Sequence, residues 1–141
     1  MFQLLARKFE FAASSNMQSN MQSGTNLQSE DKLMKLYKWH EVAIEQLGGG
    51  ITRQLLTVDN MMLAQIFVPK GVSFPAHRMS SEQVTIFVKG RAVYESNNNK
   101  IEAHAGNIVH IPAGTEHSDQ VVEDTLVLDI FSPPRQDWLK Q

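Results

Sequence analysis

Past residue 48 the chain is cut every few residues by glycine, proline and asparagine into short runs rich in Val, Ile, Leu, Thr and Phe. The runs are residues 51–58, 61–68, 83–88, 91–95, 108–111 and 121–131. Between them lie Gly48-Gly49-Gly50, Asp59-Asn60, Pro69-Lys70-Gly71, Lys89-Gly90, Asn97-Asn98-Asn99, Ala105-Gly106 and Pro112-Ala113-Gly114. β-Branched and aromatic side chains pack well on a pleated surface, and Gly and Asn reach the positive φ of tight turns. Runs of strand length at this spacing, with no helix pattern between them, predict an all-β sandwich or barrel. Residues 41–47 carry the one helical signal, and it is short.

The rest of the composition narrows the function classes. A chain of 141 residues fits one domain, and 42% hydrophobic against 20% charged residues is enough to bury a core. The net charge of −2 lacks the basic surplus of a nucleic-acid or anionic-membrane binder. Cysteine is absent, which removes disulfide scaffolds, thiol nucleophiles, thiolate zinc sites and iron–sulfur clusters together. No apolar run approaches the roughly 20 residues of a membrane span. Arg7, Lys8 and Glu10 interrupt the apolar N-terminus, so a secretory core is not formed there. The expectation is a soluble, cytoplasmic protein with no nucleic-acid and no membrane partner.

Composition shifts sharply near residue 30. Thirteen of the sixteen residues from 14 to 29 are Ser, Asn, Gln, Gly or Thr, and Met17-Gln18-Ser19, Met21-Gln22-Ser23 and Leu27-Gln28-Ser29 form a small repeat. Such a tract buries too little apolar area to offset its ordering entropy. Residues 1–31 therefore read as a flexible leader, with a targeting peptide as the alternative, and residues 32–141 as the folded domain.

Five histidines occur: His40, His77, His104, His110 and His117. His77 and His117 stand apart because of their surroundings. From Gly71, five residues lead to His77, then Met79 and Gln83, then six residues to Gly90. From Gly106, five residues lead to Pro112-Ala113-Gly114 and then to His117. With period-two alternation, His77 and Met79 share one strand face, and Gln83, Thr85 and Phe87 share a face opposite Val84, Ile86 and Val88. Glu82, one position out of register with Gln83, turns to the opposite face. In residues 126–131, Leu126, Leu128 and Ile130 form one face and Val127, Asp129 and Phe131 the other. If the aliphatic face packs outward against another sheet or protomer, Asp129 lies in the barrel beside Phe131, where its charged form is disfavoured and its pKa rises toward a useful acid/base range. Pro133-Pro134 turn the chain so that Arg135 comes back over the barrel mouth, where a guanidinium can grip a carboxylate through two hydrogen bonds.

The two histidine blocks resemble the paired signatures of the cupin superfamily, G-x5-H-x-H-x3-E-x6-G and G-x5-P-x-G-x2-H, at every spacing. The resemblance implies a jelly-roll barrel with metal ligands projecting into its lumen. Carried over by position, the metal set is His77, Gln83 and His117 with Met79 in the remaining place. Met79 replaces the second motif histidine, and Gln83 the usual glutamate. The thioether suits copper(I) rather than Zn, Mn or Fe(II), so the implied cofactor is one divalent ion (Zn, Ni, Mn or Fe) on three N,N,O donors, with a metal-free pocket as the alternative. The tail Asp129-x-Phe131-Ser-Pro-x-Arg135-x-Asp137-Trp138-Leu139 further resembles the pectin-degradation (KdgF-type) cupins, which linearise unsaturated uronates. That resemblance implies catalytic roles for Asp129, Phe131 and Arg135, a small anionic substrate, and a homodimer.

The expected function is therefore metal-dependent ring opening or keto–enol tautomerisation of an anionic sugar derivative. An Fe(II) dioxygenase and a binding protein without turnover stand beside it as alternatives. Other polar residues carry blander expectations. His104 reads as a surface histidine, His110 as a structural or surface histidine with a pocket contact as the alternative, Arg53 as a solvated charge at a strand edge with an inward, anion-binding position as the alternative, and Met61-Met62 as core filling.

Overall fold

A computed structural model describes residues 32–97 and 99–139. The chain divides into two units, Met1–Tyr37 and Lys38–Gln141. Of the first, residues 32–37 are described; they are exposed and form no strand. The proposed leader, 1–31, lies outside the described residues.

The second unit is built from strands. In chain order they are β1 Ile44–Gln46, β2 Thr52–Thr57, β3 Met62–Val68, β4 Ser73–His77, β5 Glu82–Lys89, β6 Arg91–Ser96, β7 Lys100–His104, β8 Ile108–Ile111, β9 His117–Val121 and β10 Thr125–Ser132. A short helix, α1 (Gln136–Leu139), follows. One antiparallel sheet has the order β1-β2-β3-β10-β5-β8 and the other β4-β9-β6-β7. The core lies between them. Val68, Phe87, Val109, Ile111 and Val127 of the first sheet meet Ala92, Ala103 and Val121 of the second in one buried cluster. A smaller cluster at the other end gathers Met62, Ala64 and Phe131, with Leu55, Met79 and Trp138 packed on it.

Alternation carries the architecture. In β10, Val127, Asp129 and Phe131 are buried while Leu126, Leu128 and Ile130 are only half-buried, and in β5 the buried set is Gln83, Thr85 and Phe87. The two strands pair with Asp129 opposite Thr85 and Phe131 opposite Gln83, so the two polar inward faces meet at one place.

Strands β4, β7 and most of β9 lie outside the expected runs, and two segments differ in kind. Residues 41–47 form no α-helix: a 3-10 turn at Trp39–Glu41 precedes β1, whose Ile44, Glu45 and Gln46 pair with Gln54, Arg53 and Thr52 across the Gly48–Gly50 turn. Pairing partners here override a weak local helix preference. The run 121–131 is two strands, divided by a turn at 122–124. There Val122 N and Glu123 N donate to Arg91 O, and Asp124 accepts from Lys70 N. Gly90, at φ +93°, presses against that turn so closely that any Cβ would collide with Thr125 and the Asp124 carbonyl. β4 carries Pro75 and sits at a sheet edge, where a missing N–H costs no ladder bond.

Candidate functional site

His77 ends β4 and His117 begins β9, and the two are direct partners across the ladder. Their ring centroids are 4.4 Å apart at 56°. His77 Nδ1 lies 2.9 Å from Pro75 O, and His117 Nδ1 lies 3.0 Å from Thr115 O. A carbonyl only accepts, so each Nδ1 carries a proton, and in the neutral ring Nε2 keeps its lone pair. Burial holds the His117 pKa below the usual histidine range, opposed by the bond to Thr115 and reinforced by the charges of His77 and Arg135.

Gln83 lies beside this pair in the same cavity. Its Nε2 donates to Thr85 Oγ1 at 2.8 Å and, at 3.4 Å, to Asp129 Oδ1, which also receives Thr85 Oγ1 at 2.6 Å. With the amide nitrogen so engaged, Oε1 is the end of Gln83 left to accept. Burial pushes the Asp129 carboxyl up to about 6, against the bonds from Thr85 and Gln83 and the charge of Arg135. Asp119 is pushed up to about 7 by burial and then by the charge of Asp129. Tyr94 is raised as well, by burial and by both aspartates.

The two histidines, Gln83, Tyr94, Asp119 and Asp129 line one cavity of about 130 Å³ whose apolar wall includes Ile66, Val68, Phe74, Phe87 and Val127. Its rim is the segment after β10. Ser81 Oγ donates to Pro133 O at 2.6 Å and Ser132 Oγ to Asn60 O at 3.0 Å, and these bonds fix the turn into α1. Arg135 then lines the cavity with its side chain 15% exposed, stacked 3.9 Å from the Trp138 ring centroid and 5.2 Å from that of Phe131.

Of the residues singled out from the sequence, His77, Gln83, His117, Asp129, Phe131 and Arg135 all line this cavity. Met79 packs with Met62, Ala64 and Phe131, and the cavity wall is formed by other residues. Glu82 faces outward and accepts from His110 Nε2 at 2.8 Å, so neither joins the ligand set. Arg53 corrects its expectation: it is 3% exposed, not a solvated edge charge, because Glu45 opposite it and the Trp138 ring take up its guanidinium. Thr85, Tyr94, Asp119 and Trp138 belong to the site but were not singled out. Thr85 and Asp119 lie two residues from Gln83 and His117, so period two alone puts them on the lumen face.

His77 Nε2, His117 Nε2 and Gln83 Oε1 are three neutral donors of the types that hold divalent first-row ions, and the backbone carbonyls behind both imidazoles fix their tautomers. The donor set therefore fits a divalent metal. Being uncharged, it would leave the positive charge of such an ion unneutralised.

Two facing antiparallel sheets with histidines on adjoining strands of the lumen are the arrangement of the cupin fold, and residues 64–131 match the cupin domain model. It is similar to KdgF from Halomonas sp., at 25% identity and a TM-score of 0.68 over 75% of this chain and 99% of that one. An RmlC-like cupin from Shewanella frigidimarina matches at 25% identity and a TM-score of 0.68, over 75% of this chain and 96% of that one. An uncharacterized protein of Streptomyces coelicolor is 28% identical over 103 residues, 72% of this chain and 98% of its own length. Among the described residues no helix is long and apolar enough to cross a membrane.

Proposed function

We propose that this cupin is an enzyme that opens the ring of a small unsaturated uronate, or a similar anionic sugar acid, and carries the resulting enol to its ketone. The observation behind this reading is the convergence on one cavity of a neutral three-donor set, a buried carboxyl at Asp129 and a cation at Arg135. A divalent ion held by His77, His117 and Gln83 would draw electron density from a substrate oxygen and stabilise negative charge there. Arg135 binds the substrate carboxylate, and Phe131 packs on the ring.

Asp129 Oδ1 is taken by Thr85, so Oδ2 is the atom that exchanges the proton. It takes the proton of the anomeric hydroxyl; that oxygen becomes a carbonyl as the ring C–O bond breaks, and the electron pair of that bond passes to the ring oxygen as an enolate. Returning the proton to the enolate carbon gives the ketone. A carboxyl pushed up to about 6 both accepts and donates near neutral pH.

The test is loss of the ultraviolet absorbance of a 4,5-unsaturated galacturonate. Asp129→Asn should cut turnover severely, by about 10²-fold or more, in a folded protein; full turnover in that variant would sink the role of Asp129. Met79 in place of the motif histidine favours a second reading, a binding protein without turnover. Calorimetric binding of uronate with no change in absorbance would select it. The dimer is proposed through the outward face that holds Leu126, Leu128 and Ile130, and a monomeric mass by light scattering would remove it.

A further inference from the structure

At the cavity rim two arginines share one indole. Arg53 of β2 is buried, and its Nη2 and Nε donate to Glu45 at 2.8 and 3.4 Å. Its Cζ lies 4.4 Å from the Trp138 ring centroid. Arg135 Cζ lies 3.9 Å from the same centroid, and its Nη2 and Nε donate to Asp137 at 2.6 and 3.2 Å. Trp138 also meets Phe131 edge to face, with centroids 5.1 Å apart at 78°. Each cation thus has its own carboxylate, and both stack on one ring.

Burying a guanidinium is costly unless it is paired, and an aliphatic side chain would fill the Arg53 position more cheaply. What only a planar cation supplies is a charged surface on which an indole settles in one orientation. Helix α1 has four residues, too few to hold its own shape, so Trp138 is placed by what it packs on. Arg135 is placed in turn by Trp138 and Asp137. Asp137 occupies Nε and Nη2, which leaves the Nη1 donors for a ligand in the cavity.

We propose that Arg53 is a positioning residue: through Trp138 it holds Arg135 at the cavity rim, and so sets the site's preference for a carboxylate over a neutral sugar. The inference rests on the reading of Arg135 as the group that binds the substrate carboxylate.

The experiment titrates galacturonate and, separately, galactose into the metal-loaded wild type, Arg53→Met, Arg135→Met and the double variant, by calorimetry. Arg53→Met should weaken galacturonate about tenfold and leave galactose unchanged. The double variant should bind galacturonate no more weakly than Arg135→Met alone, because Arg53 acts only through Arg135. A general structural role would instead weaken both sugars and add fully to the loss at Arg135, and that result overturns the proposal. Failure of the wild type to prefer galacturonate overturns it too. If Arg53→Met does not fold, Arg53→Lys keeps the ion pair to Glu45 without the plane and carries the same expectation. In a Trp39→Phe background Trp138 is the remaining tryptophan of the two, and its emission should change in Arg53→Lys; an unchanged spectrum counts against the proposal. Turnover of the unsaturated uronate is measured apart. Its absence, with the galacturonate pattern intact, removes the reaction and leaves the positioning role standing.

Discussion

Asp129 is buried, and its cavity raises its pKa from 3.8 to about 6, so keeping it charged costs folding free energy. In the unfolded chain the group ionises near its ordinary value. Below about pH 4 both states are protonated and the penalty vanishes. Between about pH 4 and 6 the unfolded state loses its proton first, so stability falls as pH rises. Above the folded pKa the penalty is complete, at roughly 3 kcal/mol for about two units at 1.36 kcal/mol each. Asp129→Asn cannot ionise. Its carbonyl accepts the same bond from Thr85, and any misfit of its amide nitrogen adds an offset that does not vary with pH. Urea unfolding of the two proteins in a chelating buffer, from pH 4 to 8, should give curves that separate progressively. The Asn variant should gain about 3 kcal/mol by pH 7.5 relative to its difference at pH 4. Asp119, raised partly by the charge of Asp129, adds to this gain in the same direction. A difference that stays constant across the range would refute the reasoning, since it would mean that Asp129 ionises in the fold as easily as in water.

Three further outcomes are expected. Elemental analysis of protein purified without chelator should find one divalent ion per chain in the wild type and little in His117→Ala; equal content in both would remove the three-donor site. Met79→Ala should leave that metal content intact yet cost about 2 kcal/mol in thermal unfolding, because the side chain packs in the Met62–Ala64–Phe131 cluster; loss of metal instead would make the thioether a ligand. Gly90→Ala should lower stability by roughly 2 kcal/mol or more, since φ is +93° and the new Cβ meets Thr125; a neutral effect would show that the 122–124 turn can shift.

Much of the barrel was legible because its strands alternate. Period two grouped Val127, Asp129 and Phe131 on one face and Gln83, Thr85 and Phe87 on another, and the structure buries all six. The spacing from Gly71 to Gly90 and from Gly106 to His117 likewise pointed to one shared site. The signal failed where local preference was weak. Residues 44–46 are a strand only because Thr52, Arg53 and Gln54 offer ladder partners, and 122–124 is a turn only because Gly90 and Arg91 lie against it.

The amino-acid sequence by itself determined the class of fold, which residues of β5 and of β10 share a face, and the histidine pair, because these follow from short-range periodicity and spacing. Tertiary structure alone decided that Met79 joins an apolar cluster while Gln83 faces the cavity, and that Asp119 and Tyr94 gather around Asp129. It also decided that Arg53 is buried against Trp138. Each of these depends on which strands become neighbours across the two sheets, and burial, pairing and pKa are properties of those neighbours rather than of the residue.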